Sequence, residues 1–291
     1  MTEPLQFEFF RHALIAATMV GALTGLVGVF IVLRRMSYIG HGMSHAIFGG
    51  AVVGYVAGFN FYVASGIWGL GSALLINQTM RRRQIGADAA IGIVTTASFA
   101  LGVALISRAK SVTRNFDAAL FGNLLGVSVT DLWVIAGVLA FTVLILFFLY
   151  KQILFLTFDA EVAPVYGVPA GWIDSLFALV LAATIIVSIR IMGVTLIAAS
   201  LVIPPVIARL LTDRFAYMLP LSSLIGAAVA ASGMFLSYYL DVASGASIVL
   251  LSAAVFALTL VYVSVRQSLR VGRSTVALGE LTSAEAEALK G

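Results

Sequence analysis

The chain has no cysteine and few charged residues. Of its 291 residues, 10% are charged and 61% are hydrophobic, whereas a soluble domain has about 25% charged residues. Without cysteine, the protein cannot form disulfides, thiolate metal sites or iron–sulfur clusters. Any metal that it contacts therefore needs nitrogen, oxygen or thioether ligands.

Long apolar runs occupy most of the sequence. Four runs without a charged residue cover 13–33, 132–150, 175–189 and 248–265, and most of them approach the roughly 20 residues with which a helix crosses a bilayer. Strands of a membrane barrel are about ten residues long and alternate in polarity, whereas these runs are apolar on every side. We therefore predict an all-α, polytopic transmembrane helical bundle in contact with membrane lipid.

Short basic clusters separate the apolar runs, as in the cytoplasmic loops of membrane proteins. The clusters are Arg34 and Arg35, Arg81 to Arg83, Lys151, Arg209 and Arg214, and Arg266, Arg270 and Arg273. We interpret them, and the net charge of +4, as markers of topology and not as a nucleic-acid-binding surface. With these clusters inside, the N-terminus lies outside and the C-terminus lies in the cytoplasm.

This threading predicts about nine spans. They are 10–33, 41–58, 61–79, 87–107, 130–150, 171–189, 192–211, 217–239 and 246–265. Eight or ten spans also fit, because the second span is short, the link at Arg190 is a single residue, and 110–127 is compatible with a partly inserted loop. Residues 1–266 form the predicted transmembrane domain, and 267–291 form a short cytoplasmic tail in which Ser283 is a candidate helix cap.

Glycine and proline mark two further features of the spans. Glycine clusters such as Gly21 and Gly25 predict close helix packing through small residues. Pro204 and Pro205 are expected to break or kink their helix, because proline lacks the backbone N–H, and the freed carbonyls could line a cavity.

Two of the three histidines, His41 and His45, are four residues apart. On a helix this spacing places both imidazoles on one face, where they can meet one ion. The alternative is that His41 lies at a membrane interface and His45 hydrogen-bonds to another helix. Met43 lies about 200° from His41 around the helix axis and is assigned to packing.

The polar segment 158–167 has the residues of a short capped helix. Asp159 is a candidate N-cap, Glu161 is placed in the first turn, and Gly167 is expected to end the helix before Pro169. Taken alone, these features are equally typical of an ordinary loop helix.

Five motifs between about residues 20 and 265 resemble the metal-ion family of ABC permeases, the zinc, manganese and iron uptake type. They are VLRRMSYIG (32–40) followed by Ser44-His45-Ala46, GADAAIGI (86–93), LFGNLL (120–125), RIMG (190–193) with IPPVIAR (203–209), and 236–250 from LSY through Asp241 to SGASIVL. The resemblance implies the permease subunit of an importer in the bacterial plasma (inner) membrane. It also implies two cytoplasmic ATPase subunits, an extracytoplasmic metal-binding protein and a second permease copy.

The resemblance also implies roles for particular residues. It places His41 and His45 in contact with the transported divalent ion, and it identifies 158–167 as the loop that couples to the ATPase, with Asp159, Glu161, Ala163 and Gly167 as its motif. No permanently bound cofactor and no enzymatic activity are expected in this chain. ATP hydrolysis is expected in the partner subunits, since the sequence has no GxxxxGK[ST] phosphate loop.

One departure from the family concerns His41, which stands where the family usually has an aspartate. Imidazole suits zinc, copper, iron or nickel, whereas carboxylate suits manganese. The exchange therefore favours zinc slightly over manganese, with iron also possible, although the delivering protein could set selectivity and Asp241 or Asp117 could supply oxygen ligands elsewhere. Two imidazoles fit an ion in transit better than a closed cage.

Two other functional classes remain as alternatives. A self-powered metal carrier or channel would need the same spans, but no inverted repeat is evident and few acidic residues lie within the spans. An intramembrane protease would need a motif such as His-Glu-x-x-His, and the His41 and His45 pair lacks the general-base glutamate.

Overall fold

The described residues of the computed structural model form helices connected by short turns and contain no strand. The description covers residues 3–80, 87–108, 126–194 and 196–288, with side chains described up to residue 268. The helices are α1 (Glu8–Leu33), α2 (Ser37–Ala57), α3 (Phe61–Met80), α4 (Ala87–Arg108), α5 (Val129–Phe158), α6 (Ala170–Met192), α7 (Ile197–Leu211), α8 (Phe215–Leu240) and α9 (Ser244–Ala288). This confirms the all-α prediction.

Six of these helices are long and apolar enough to cross a membrane, namely α1, α4, α5, α6, α8 and α9. The helix α7 is apolar but has only 15 residues. The helices α2 and α3 are continuous, but their sequences contain several glycines and polar residues. The structure is therefore a helical membrane bundle, and the count of nine spans stays a prediction.

The ends of the helices meet in two groups, which define two ends of the bundle. Arg34, at the end of α1, contacts Thr157 near the end of α5 and Asp174 near the start of α6. We call this the Arg34 end. The other end, which we call the Arg190 end, joins the start of α3, the start of α5 and the end of α6. Thus α1 and α5 run in the same direction.

Helices α1 and α6 form the centre of the bundle, because most of their residues are buried, whereas few residues of α5 and α9 are buried. The large apolar side chains on the outside include Trp133, Phe147 and Phe148 of α5 and Leu258 of α9. Such side chains would be costly in water and are suited to contact with lipid.

Glycines let α1 and α8 approach closely, as the sequence predicted. A Cβ atom at Gly21 would overlap the carbonyl oxygen of Gly226, and one at Gly25 would overlap that of Ser222. The Ser222 hydroxyl donates a hydrogen bond to the Gly25 carbonyl at 2.6 Å. Small residues spaced by four along both helices are typical of helix pairs in membranes.

The two prolines of α7 do not break the helix, which runs without interruption from Ile197 to Leu211. Pro205 cannot donate to the carbonyl of Leu201, and that carbonyl packs against Gly28 of α1. The prediction of a break was therefore wrong, whereas the prediction of a freed carbonyl fits Leu201, whose carbonyl has no helical N–H partner at Pro205 and lies against α1.

Several predicted boundaries also differ from the structure. The helix α5 continues past Lys151 to Phe158, and α9 continues past Arg266 to Ala288, so Ser283 lies inside a helix and does not begin one. Arg190 lies in the last turn of α6, and the link to α7 follows it, beginning at Gly193 with φ +77°. The predicted ends were placed at the first charged residue after each apolar run, but the backbone hydrogen bonds of a helix continue past such a residue.

Some predicted features lie outside the described residues. They are Arg81 to Arg83, Asp117, the motif at 120–125 and nearly all of 110–127. The division between residues 1–266 and 267–291 stays a prediction.

Candidate metal-contacting site

His41 and His45 lie one turn apart on α2, with both rings turned to the same side. Their Nε2 atoms are 3.2 Å apart, and their ring centroids are 4.5 Å apart at an interplanar angle of 83°. Both side chains are half-buried. The structure thus brings together the two residues that their spacing predicted would share one face.

Close packing of α2 on α4 fixes the environment of His45. Gly42 and Gly49 of α2 have no room for a Cβ atom, since α4 approaches them through Ile91 and the Ser98 carbonyl. This approach places the ring of Phe99 4.8 Å from the imidazole of His45, nearly perpendicular to it. The aromatic contact limits rotation of His45, so its Nε2 stays directed toward His41.

Met43 takes no part in the pair. It is fully buried and lines a cavity of about 270 Å³ at the Arg34 end of the bundle. The prediction that Met43 serves packing is consistent with this position.

The histidine pair is an incomplete metal site by itself. Within the described part of the chain, no group of three or more histidine, cysteine, aspartate or glutamate residues could hold a metal ion, so Asp241 does not join the pair. In the same part of the chain, the buried Nδ1 of His45 has no hydrogen-bond partner, although a metal-bound histidine usually donates this N–H to an oxygen. The pair can therefore supply two nitrogen ligands, with other ligands coming from elsewhere.

The separation of the two nitrogens fits a common ion. With Nε2 atoms 3.2 Å apart, a zinc ion about 2.0–2.1 Å from each would subtend an angle of roughly 100°, near the tetrahedral value of about 109°. The same two atoms form a hydrogen bond when one of them carries the proton, so an ion bound between them would replace that proton.

The predicted coupling segment, residues 158–167, joins α5 to α6 at the Arg34 end. Asp159 Oδ1 accepts a hydrogen bond from the Val162 N–H at 3.2 Å, and a single 3-10 turn follows at Ala163–Tyr166. Gly167 ends this turn with φ +79°, a conformation that favours glycine. The Ala163 N–H donates to the Asp159 carbonyl at 3.1 Å, so Glu161 lies in the turn that Asp159 caps, as the sequence predicted.

The coupling segment has one buried anchor and an exposed apolar tip. Ala163 is fully buried, whereas Val165 and Tyr166 are 83% and 76% exposed. Glu161 is exposed beside them. An apolar tip next to a charge, on a short turn held by a buried alanine, is suited to contact with another protein.

An ion pair at each end of the bundle was not found from the sequence. At the Arg34 end, Arg34 Nη1 donates to Asp174 Oδ1 at 2.9 Å. At the Arg190 end, Tyr62 and Arg190 both donate to the buried carboxylate of Asp131. From the sequence, Arg34 was interpreted as a marker of topology and Arg190 as a loop residue. The signal that could have revealed their partners is the position of Asp174 and Asp131, each a single carboxylate beside an apolar run.

Comparison with known proteins gives consistent matches over nearly the whole chain. A family model described as the ABC 3 transport family matches residues 6–263. The manganese transport system membrane protein MntC of Halalkalibacterium halodurans is 39% identical over 254 residues, which cover 87% of this chain and 87% of that protein. The manganese import system permease protein ScaB of Streptococcus gordonii is 36% identical over 250 residues, which cover 86% of this chain and 90% of that protein.

A solved structure shares the fold. The structure described as PsaBC from Streptococcus pneumoniae in complex with Fab matches with a TM-score of 0.80 and 36% sequence identity. The match covers 88% of this chain and 93% of the other.

Proposed function

The chain belongs to the ABC 3 transport family and is the permease subunit of an ABC metal importer, and we propose that His41 and His45 contact the ion as it passes through the membrane. The single observation that carries this proposal is the 3.2 Å separation of the two Nε2 atoms on one face of α2. Ionisable groups inside a membrane bundle are costly and are typically functional.

The proposed cargo is a divalent first-row transition metal. The related proteins are named for manganese transport, whereas two imidazoles are good ligands for zinc. We propose that this permease accepts both ions.

A second copy of the chain is proposed to complete the site. Two nitrogens fall short of the four ligands that zinc usually takes, and the side of α2 that carries the histidines is only half-buried in a single chain. Tyr38, on the same side, is 53% exposed. In a symmetric pair each copy would present the same surface to the other, and the two histidine pairs would face one ion between them.

The Arg34 end is proposed to face the cytoplasm, with the coupling segment against an ATPase subunit. The basic residues Arg34, Arg35 and Lys151 favour the cytoplasmic side for this end. The exposed tip at Val165 and Tyr166 and the exposed Glu161 supply the contact. An extracytoplasmic metal-binding protein would then deliver the ion at the Arg190 end.

Uptake of radiolabelled metal by the complete transporter in liposomes tests the role of the pair. We expect His45→Ala to abolish uptake, because the remaining imidazole of His41 cannot replace the shared two-nitrogen contact. His12→Ala is the matched control, since it removes the third histidine, on α1, and should leave uptake near the wild-type rate.

Protein levels and ATPase association are matched between the variants, so that a loss of uptake reports on the ion. Normal uptake by His45→Ala would show that the pair is structural and that the ion passes elsewhere. Uptake by the permease without its ATPase would instead support the self-powered carrier.

A further inference from the structure

Arg34 contacts both helices that flank the coupling segment. Its Nε donates to Thr157 Oγ1 at 3.1 Å, and its Nη1 donates to Asp174 Oδ1 at 2.9 Å. Thr157 lies in the last turn of α5 and Asp174 in the first turns of α6. The Thr157 hydroxyl donates to the Ile153 carbonyl at 2.6 Å, which leaves its oxygen free to accept from Arg34. One guanidinium therefore joins the two helices that enter and leave the segment.

Arg34 also ends α1, directly before the helix that carries the histidines. Its backbone N–H donates to Phe30 at 2.9 Å, Arg35 has φ +56°, and α2 begins at Ser37. A left-handed residue with a Cβ atom has few alternative conformations, so the turn is tightly defined. His41 follows Ser37 by one helical turn, so a displacement of Arg34 would be transmitted to the start of α2 and to the pair.

The region between these elements leaves room for such a movement. The cavity of about 270 Å³ is lined by Arg34, Thr157, Asp174 and Ala160 on one side and by Met43 of α2 on another. Close-packed interiors resist displacement, whereas α2 faces open space here. Among the described residues, the buried Nη2 of Arg34 has no hydrogen-bond partner, so it could bond to a different group if the helices shifted.

We propose that Arg34 is a positioning residue that transmits movement of the coupling segment to the histidine pair, through its bonds to Thr157 and Asp174 and through the turn into α2. This inference rests on the proposed function, since it takes 158–167 as the contact with the ATPase. Arg34 does not touch the ion and acts through the position of α2. In the structure Arg34 is bonded to α5 and α6. The proposed second state releases it into the cavity, and the two states together would form the bistable element that such coupling requires.

The test measures metal ions imported per ATP hydrolysed in the complete transporter, with and without loaded binding protein. Arg34→Gln should lower this ratio about tenfold, within the usual range for coupling between sites. Asp174→Asn should lower it less, because Arg34 keeps its bond to Thr157, and the double variant should be no worse than Arg34→Gln alone, since that variant has already lost the Asp174 contact. Thr157→Val, which is nearly isosteric, should lower the ratio about threefold.

Arg35→Gln is the matched control, because it removes the same charge from the next residue, which is exposed. It should keep the wild-type ratio, and all variants should co-purify with the ATPase. An unchanged ratio in Arg34→Gln and Thr157→Val would overturn the inference. So would a proportional loss of uptake and ATP hydrolysis with lower thermal stability, since that indicates a purely structural ion pair.

The outcome also separates this inference from the proposed function. A wild-type complex that imports no metal would overturn the proposed function, and the inference with it. If the wild-type complex imports metal and the Arg34 variants keep the wild-type ratio of metal to ATP, only the inference about Arg34 would be overturned.

Discussion

At the residue scale, the two histidines of α2 have different surroundings. His45 packs against Phe99 of α4 and has a buried Nδ1. His41 lies nearer the exposed Tyr38, with ring centroids 5.9 Å apart. We therefore expect substitutions to be tolerated better at His41 than at the more tightly packed His45.

We expect His41→Asp to keep transport while moving preference toward manganese. The substitution replaces a nitrogen ligand by oxygen ligands, which manganese favours over zinc. Competition between labelled manganese and excess zinc, measured in the reconstituted transporter, should show a several-fold higher share of manganese than in wild type. His41→Asn, which offers a neutral oxygen, is the control for size. The same zinc-to-manganese ratio in His41→Asp and wild type would contradict this assignment.

Asp131→Asn should destabilise the protein by about 2 kcal/mol, the usual range for hydrogen bonds to a charged group. The Asp131 carboxylate is 5% exposed, accepts from Tyr62 and Arg190, and caps α5 together with Ser128. Thermal unfolding of the detergent-solubilised chain measures the effect. Asp241→Asn is the control, because Asp241 is exposed at the end of α8 and asparagine tolerates its left-handed backbone. Equal stability of both variants would show that the Asp131 cluster contributes little.

The pair at His41 and His45 could be predicted because helical spacing is a local property. Its environment could not, since Phe99 reaches His45 only through the packing of α2 on α4. The ion pair of Arg34 with Asp174 could not be predicted either, because it joins residues that are far apart in the sequence. Sequence distance carries no information about which distant charges meet.

At the scale of elements, the apolar runs predicted the helices that cross the core. The predicted spans 10–33 and 61–79 nearly coincide with α1 and α3. The ends of α5 and α9 were missed, because a helix continues after the sequence becomes polar. The unbroken α7 was missed because the close approach of Gly28, which covers the Leu201 carbonyl, depends on another helix.

The coupling segment is the element where a charge reversal should act on assembly. We expect Glu161→Lys to insert normally but to bind the ATPase about tenfold more weakly, because Glu161 is exposed beside the apolar tip and charges at an interface set partner choice. Co-purification at increasing salt measures this. Glu8→Lys, the same change at the start of α1, is the control and should assemble normally. An intact complex with full transport-coupled hydrolysis would show that the ATPase binds elsewhere.

At the scale of the whole molecule, we expect the use of ATP to depend on partner subunits, since the sequence contains no GxxxxGK[ST] phosphate loop. Reconstituted alone in liposomes, it should neither hydrolyse ATP nor accumulate metal against a gradient. Reconstitution with its ATPase and binding protein, in parallel, should give ATP-dependent accumulation. Uphill uptake by the single polypeptide, driven by a proton gradient, would refute the dependence on partners.

The helix α5 is longer than the hydrocarbon layer of a membrane is thick, and its length determines how far from that layer the coupling segment lies. Lys151 comes 22 residues after Val129, the first residue of α5, a rise of about 33 Å, which matches a hydrocarbon layer of about 30 Å. Arg266 comes equally far after Ser244, where α9 begins. The seven residues of α5 beyond Lys151 then extend about 10 Å past the hydrocarbon. In the proposed topology the coupling segment would therefore stand at the depth of the lipid headgroups, where a water-soluble subunit would reach it without displacing acyl chains.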